Sequence, residues 1–82
     1  MNKVQVLQMV ADKIDLNLFY SITVWKEGQV NMQGDLTADA LKQILILTDK
    51  WNAHDNGWIQ CSVEVSQDVK CDITLIPVDI LD

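Results

Sequence analysis

Apolar and polar residues recur along this chain with two periods, and the switches between them divide it into four parts. Over residues 3–15 the period is helical. Val4, Leu7, Val10, Ala11 and Ile14 fall on one face, with Asp12, Lys13 and Asp15 away from it. Val6 and Met9 lie on the opposite side, which implies a helix buried on two sides or one whose outer face meets another molecule. A short strand over Lys3–Val6 is the competing reading. From Leu18 to Trp25 β-branched and aromatic residues dominate, which predicts a strand. Lys26-Glu27-Gly28 then reads as a three-residue loop closed by a left-handed Gly bulge, with Gln29–Gly34 as the return strand. That register sets Val24 opposite Val30 and Ile22 opposite Met32 on one face. Trp25, Thr23 and Ser21 join Gln29, Asn31 and Gln33 on the other. Slipping by one residue would mix the faces.

A second helix starts at Asp35-Leu36-Thr37-Ala38-Asp39, where Thr37 can cap the free amides and Asp39 suits the helix dipole. Ala40, Leu41, Ile44, Leu45, Leu47, Thr48 and Trp51 form its expected buried face. Asp39, Lys42, Gln43, Asp49 and Lys50 form the wet one, with Ile46 exposed among them. The turn formers from Asn52 to Gly57 end it. Trp58–Ser66 alternates, with Ile59, Cys61, Val63 and Val65 against Trp58, Gln60, Ser62 and Glu64. Cys71–Val78 alternates too, and Pro77 confines that strand to an edge or a strand end. A three-residue loop Gln67-Asp68-Val69 pairs Val65 with Cys71, Val63 with Ile73 and Cys61 with Leu75. Both cysteines then face the core, offset too far along the ladder for a disulfide at about 3.4 Å per residue. Glu64 and Asp72 stand opposite each other in this register, a like-charge pair that costs up to roughly 1 kcal/mol and hints at a cationic partner.

The expected fold is therefore α+β, helix-hairpin-helix-hairpin (αββαββ). Its four-stranded, mostly antiparallel sheet carries both helices on one face, in a single compact domain over residues 1–82. The order of the strands is not readable from the pattern. A chain this short buries only roughly 60–65% of its unfolded surface, so its stability margin is small.

Charge narrows the function classes. Ten Asp and two Glu face six Lys, Arg is absent, and the formal net charge is -6. Arg supplies the planar fork that grips phosphates and carboxylates, so the composition argues against direct binding of nucleic acid or an anionic membrane. No stretch approaches the roughly 20 apolar residues of a membrane span. Gln5 and Gln8 interrupt the N-terminal apolar positions, so mature cytoplasmic protein is expected. Two cysteines are too few for a secreted disulfide framework.

Catalytic and metal chemistry find little support. His54-Asp55 is the one place where a His adjoins an acid, and a surface-turn histidine is the plain reading. There is no Cys-x-x-Cys, no His-x-x-x-His, no calcium-type acidic loop and no phosphate-cradling Gly loop. The expectation is a non-enzyme with no catalytic residue, no metal site and no cofactor.

Two surfaces carry the binding expectations. The sheet face away from the helices is expected to display Phe19, Trp25, Asn31, Trp58, Gln60, Glu64, Asp72 and Ile76, with Val78 near its end. Asp35, Asp39 and Asp68 are the candidate acidic contacts among Asp residues spread over nearly every turn and terminus, Asp79 and Asp82 included. Val6, Met9 and Ile46 are the candidate dimer patch. In size, acidity and mixed architecture the chain resembles the small inhibitors that viruses and mobile elements make against host defence or nucleic-acid machinery, such as anti-CRISPR proteins. The resemblance is one of character and attaches to no particular residue. It implies an acidic binding protein that inhibits a basic, nucleic-acid-binding partner by occlusion. The alternative is a homo-oligomeric module, a homodimer in the simplest case, holding a small ligand on its Trp-bearing face or at the subunit interface.

Overall fold

Each helix opens on a side-chain cap. Asn2 and Gln5 cap each other reciprocally, the Gln5 amide donating to Asn2 Oδ1 at 2.8 Å and the Asn2 amide to Gln5 Oε1 at 2.9 Å. This starts helix α1, Lys3–Ala11. Thr37 caps α2, Ala38–Leu47, its hydroxyl accepting from the Ala40 amide at 3.1 Å, with Asp39 in the first turn as expected. The computed structural model describes residues 2–78. Over them the chain is α+β, with two helices and a five-stranded mixed sheet.

The strands are β1 Ser21–Val24, β2 Gln29–Asp35, β3 Trp51–Ala53, β4 Ile59–Ser66 and β5 Val69–Ile76, in spatial order β1-β2-β5-β4-β3. The first hairpin takes the expected register, Val24 against Val30 and Ile22 against Met32, and Gly28 closes its turn at φ 80. A Cβ at Gly28 would overlap the Asp68 carbonyl oxygen, so this turn and the β4–β5 turn touch where the side chain is missing. The centre of the sheet differs from the expected one. β2 and β5 pair in parallel from Gln29–Lys70 to Asp35–Ile76, because α2 carries the chain across the sheet before β3, β4 and β5 return.

Three segments depart from the sequence reading. The first helix stops at Ala11, and Asp15 caps a 3₁₀ turn at Leu16–Leu18, so the strand expected from Leu18 begins at Ser21. The buried stripe of α1 runs through Val6 and Val10 to Ile14, while Val4 is exposed. The second helix ends at Leu47 rather than near Trp51. The Thr48 hydroxyl accepts from the Lys50 amide at 3.0 Å, which turns the chain out of the helix, and Trp51 enters a fifth, edge strand opposite Cys61. The β4–β5 loop is tighter than expected. Ser66 pairs with Val69, an irregularity at Val65 follows, and the register moves by two residues, so Val63 meets Cys71 and Cys61 meets Ile73. Both cysteines face the core as free thiols, closer together along the ladder than the expected register placed them.

All of the core lies on one side of the sheet. Val30, Met32 and Gly34 of β2, Cys61, Val63 and Val65 of β4, and Val69, Cys71, Ile73 and Leu75 of β5 turn toward the helices. There they join Val6, Val10, Ala40 and Ile44. Burying each Val, Ile, Leu or Met contributes roughly 1.5–3 kcal/mol.

Candidate functional site

Among the described residues no helix lies over the opposite sheet face, and the registers place its side chains in rows. Trp25, Gln29, Lys70 and Glu64 line up across one end; Thr23, Asn31, Asp72 and Ser62 form the next row; Gln33, Thr74, Gln60 and Asn52 follow; Asp35 and Ile76 stand at the far end with Trp58 beyond β4. Asp72 is the hub of this lattice. Its Oδ1 accepts from Ser62 Oγ at 2.7 Å and its Oδ2 from Gln29 Nε2 at 2.8 Å, while Gln29 also reaches Asn31 Oδ1 at 3.3 Å. Gln60 Nε2 donates to Thr74 Oγ1 at 3.4 Å, and Gln60 Oε1 meets Nε2 of the His54 ring. These side chains arrive oriented by one another, so docking against them orders few new rotamers.

Beside β4 this face deepens into a trough. Two adjoining hollows of about 550 and 680 Å³ share Asp49, Lys50, Ser62 and Asp72. Trp51, Asn52, Gln60 and Thr74 extend one of them, and Glu64 and Lys70 the other. Thr48–Lys50, running from α2 to β3, forms the outer wall.

The expected sheet-face residues divide. Asn31, Gln60, Glu64 and Asp72 sit exposed on the open face, with Ile76 partly covered at its end. Trp25 and Trp58 occupy opposite ends of the sheet, so no single aromatic patch unites them. Phe19 is in the core, 8% exposed, because Gly34 leaves room for its ring; a Cβ there would lie 3.1 Å from Phe19 Cδ1. The Glu64–Asp72 repulsion is absent, since the moved register sets Glu64 against Lys70 and Asp72 against Ser62. Asp35 and Asp39 stand at one end of the sheet and Asp68 at the other, roughly 20 Å away at about 3.3 Å per residue along β2. Asp79 and Asp82 lie outside the described residues. The dimer patch is broken as well. Val6 is 2% exposed and Met9 packs against the core, which leaves Ile46 alone at 79%.

Asp49, Lys50, Trp51, Asn52 and Ser62 are the site residues that sequence reasoning missed. Assigning 49–51 to a helix hid their place on the wall, although the Thr48-Asp49-Lys50 run of turn-forming residues was a signal. Among the described residues no three His, Cys, Asp or Glu side chains gather in a way that could hold a metal ion, and no helix is long and apolar enough to cross a membrane. Burial, with a smaller contribution from the Asp72 charge, pushes the Cys61 and Cys71 thiols up from 9.0 to about 11. They are protonated at neutral pH, the unreactive form. No protein-family model, curated protein or solved structure gives a significant match to this chain.

Proposed function

We propose that this protein is a small acidic, non-enzymatic binding protein that docks on a basic surface of another protein through the open face of its sheet and blocks that surface. One observation carries the reading: no helix among the described residues covers this sheet face, and its polar side chains are already organised around Asp72, in a chain of net charge -6. A surface shaped to bind nucleic acid is the class of target that fits, because carboxylates presented on a rigid sheet can stand where phosphates would. Occlusion of such a protein is the inhibitory role inferred, of the kind that viral and mobile-element inhibitors perform.

The test is capture of basic proteins from a bacterial lysate at low salt, followed by measurement of whether the captured protein still binds its nucleic acid when this chain is added. The expected result is loss of nucleic-acid binding, relieved by high salt and by Asp72→Lys together with Glu64→Lys. Binding that ignores salt and both charge reversals overturns the reading.

A further inference from the structure

The two edges of the sheet are built differently. β3 is three residues long and its flanks are charged, with Asp49 and Lys50 before it and Asp55 just beyond. A two-fold pairing of β3 with its twin about Asn52 would set Asp49 of each copy against Asp55 of the other. β1, at the opposite edge, carries neither the charge nor the proline that commonly blunts an exposed strand. It lies inside Leu16–Trp25, ten residues that make the longest uncharged run in a chain of net charge -6.

The main chain of β1 is open along its outer side. The Trp25 amide donates to the Gln29 carbonyl at 2.7 Å, which sets the phase of the ladder. Odd-numbered residues of β1 turn their peptide groups toward β2, and Ile22 and Val24 turn theirs outward. Among the described residues no strand lies beyond β1, and neither the N–H nor the C=O of Ile22 or Val24 makes a hydrogen bond. The chain leading into β1 does not run along this edge. A Cβ on Gly34 would lie 2.6 Å from the Leu18 carbonyl oxygen, so Leu18 and Phe19 cross the helix side of β2 instead. After Trp25 the chain turns straight back into β2 through Lys26–Gly28. Tyr20 and Trp25, 60% and 56% exposed, flank the open strand.

We propose that β1 pairs antiparallel with β1 of a second copy of this chain, about a two-fold axis at Thr23, and joins the two sheets into one. Ile22 of each copy then exchanges main-chain bonds with Val24 of the other. The faces match as well. Ile22 lies against Val24 on the helix side, and Trp25 lies against Ser21 on the open side, where the half-exposed indole gains a cover. Lys26 of one copy comes alongside Tyr20 of the other, a cation beside an aromatic ring. No acid opposes an acid within the paired stretch, so two acidic chains meet where each is least charged. A shift of two residues would set Lys26 against Ile22 in one direction. In the other it would set Trp25 against Phe19, which has turned into the core. The pairing places two open faces side by side, and it does not depend on what those faces bind.

Sedimentation equilibrium reads the self-association, and hydrogen-exchange NMR over a range of concentrations reads the contact. The expected result is a dimer with a Kd of about 10–100 μM, weak because the paired stretch is short. It should tighten as salt rises, since screening relieves the repulsion between two chains of net charge -6. The Ile22 and Val24 amides should gain protection with concentration. Thr23 is exposed on the open face, so Thr23→Lys and Thr23→Glu should leave the fold intact. Each sets like charges across the axis and should weaken the dimer about fivefold or more, and an equimolar mixture of the two should restore it. A chain still monomeric at about 1 mM overturns the proposal. So do variants that associate as the wild type does, a mixture that restores nothing, or protection at Trp51 and Ala53 of the other edge. Protection of Ile22 and Val24 that requires the captured basic protein gives the edge to that protein and overturns the second copy. Salt acts in opposite directions on the dimer and on the basic partner, so either can fail without the other.

Discussion

Strand β5 carries both faces of the sheet on one backbone. Val69, Cys71, Ile73 and Leu75 are at most 1% exposed, whereas Lys70 and Asp72 between them are open to solvent and Thr74 and Ile76 partly so. Backbone, ladder and neighbouring strands are the same for both sets, so the helix cover on one side accounts for the difference. Under that cover, packing supplies the stability, and a missing methyl group leaves a cavity. On the open side the side chains are joined by hydrogen bonds in water, each worth little to folding. That separation lets the open face change its chemistry without endangering the fold.

The comparison can be broken most forcefully from the covered side. Ile73→Ala should cost about 3 kcal/mol, read as a lower urea midpoint at unchanged slope, since the side chain is 1% exposed at the centre of the core. A cost under about 1 kcal/mol would mean that the two faces do not differ as described. A smaller effect comes from the buried thiols. Their raised pKa lets the native chain keep protons that the unfolded chain releases. Stability should therefore be intact below pH 9 and decline as pH rises toward about 11, and the Cys61→Ala, Cys71→Ala double variant should show a flatter alkaline limb. The smallest effect belongs to the open face. Asp72→Asn should shift stability by less than about 1 kcal/mol. Because the Asp72 charge helps to raise both thiols, the same variant should also lower their pKa, measurable by alkylation rate against pH. Thiols that titrate unchanged would show that the sheet insulates one face from the other.

Much of the covered face was legible in advance. The first hairpin could be read because an odd slip exchanges its faces, and Gly28 fixed the turn. Thr37 announced its own cap. The second hairpin could not be read to the same depth, since a slip of two residues keeps every side chain on its face. Periodicity is blind to such a slip, and it is what the irregularity at Val65 produced, separating Glu64 from Asp72 and bringing Cys61 nearer Cys71. Helix α1 is apolar on several sides, so spacing alone could not choose Val6, Val10 and Ile14 over Val4, Leu7 and Ala11. Asn31, Gln60, Glu64 and Asp72 were placed on the right face by alternation. Their grouping with Asp49 and Lys50 depended on where α2 ends and on the parallel pairing of β2 with β5, which no local pattern encodes.

That parallel pairing also bears on how quickly the chain finds its fold. β1–β2 and β4–β5 are hairpins closed by tight turns, and such units form in microseconds. Strands β2 and β5 join partners roughly forty residues apart, so their closure bears most of the loop entropy and comes late. Until then each hairpin shows an open main-chain border to its surroundings. For a newly made chain the hazard lies in the middle of the finished sheet, where β2 or β5 can meet another molecule's strand before meeting each other.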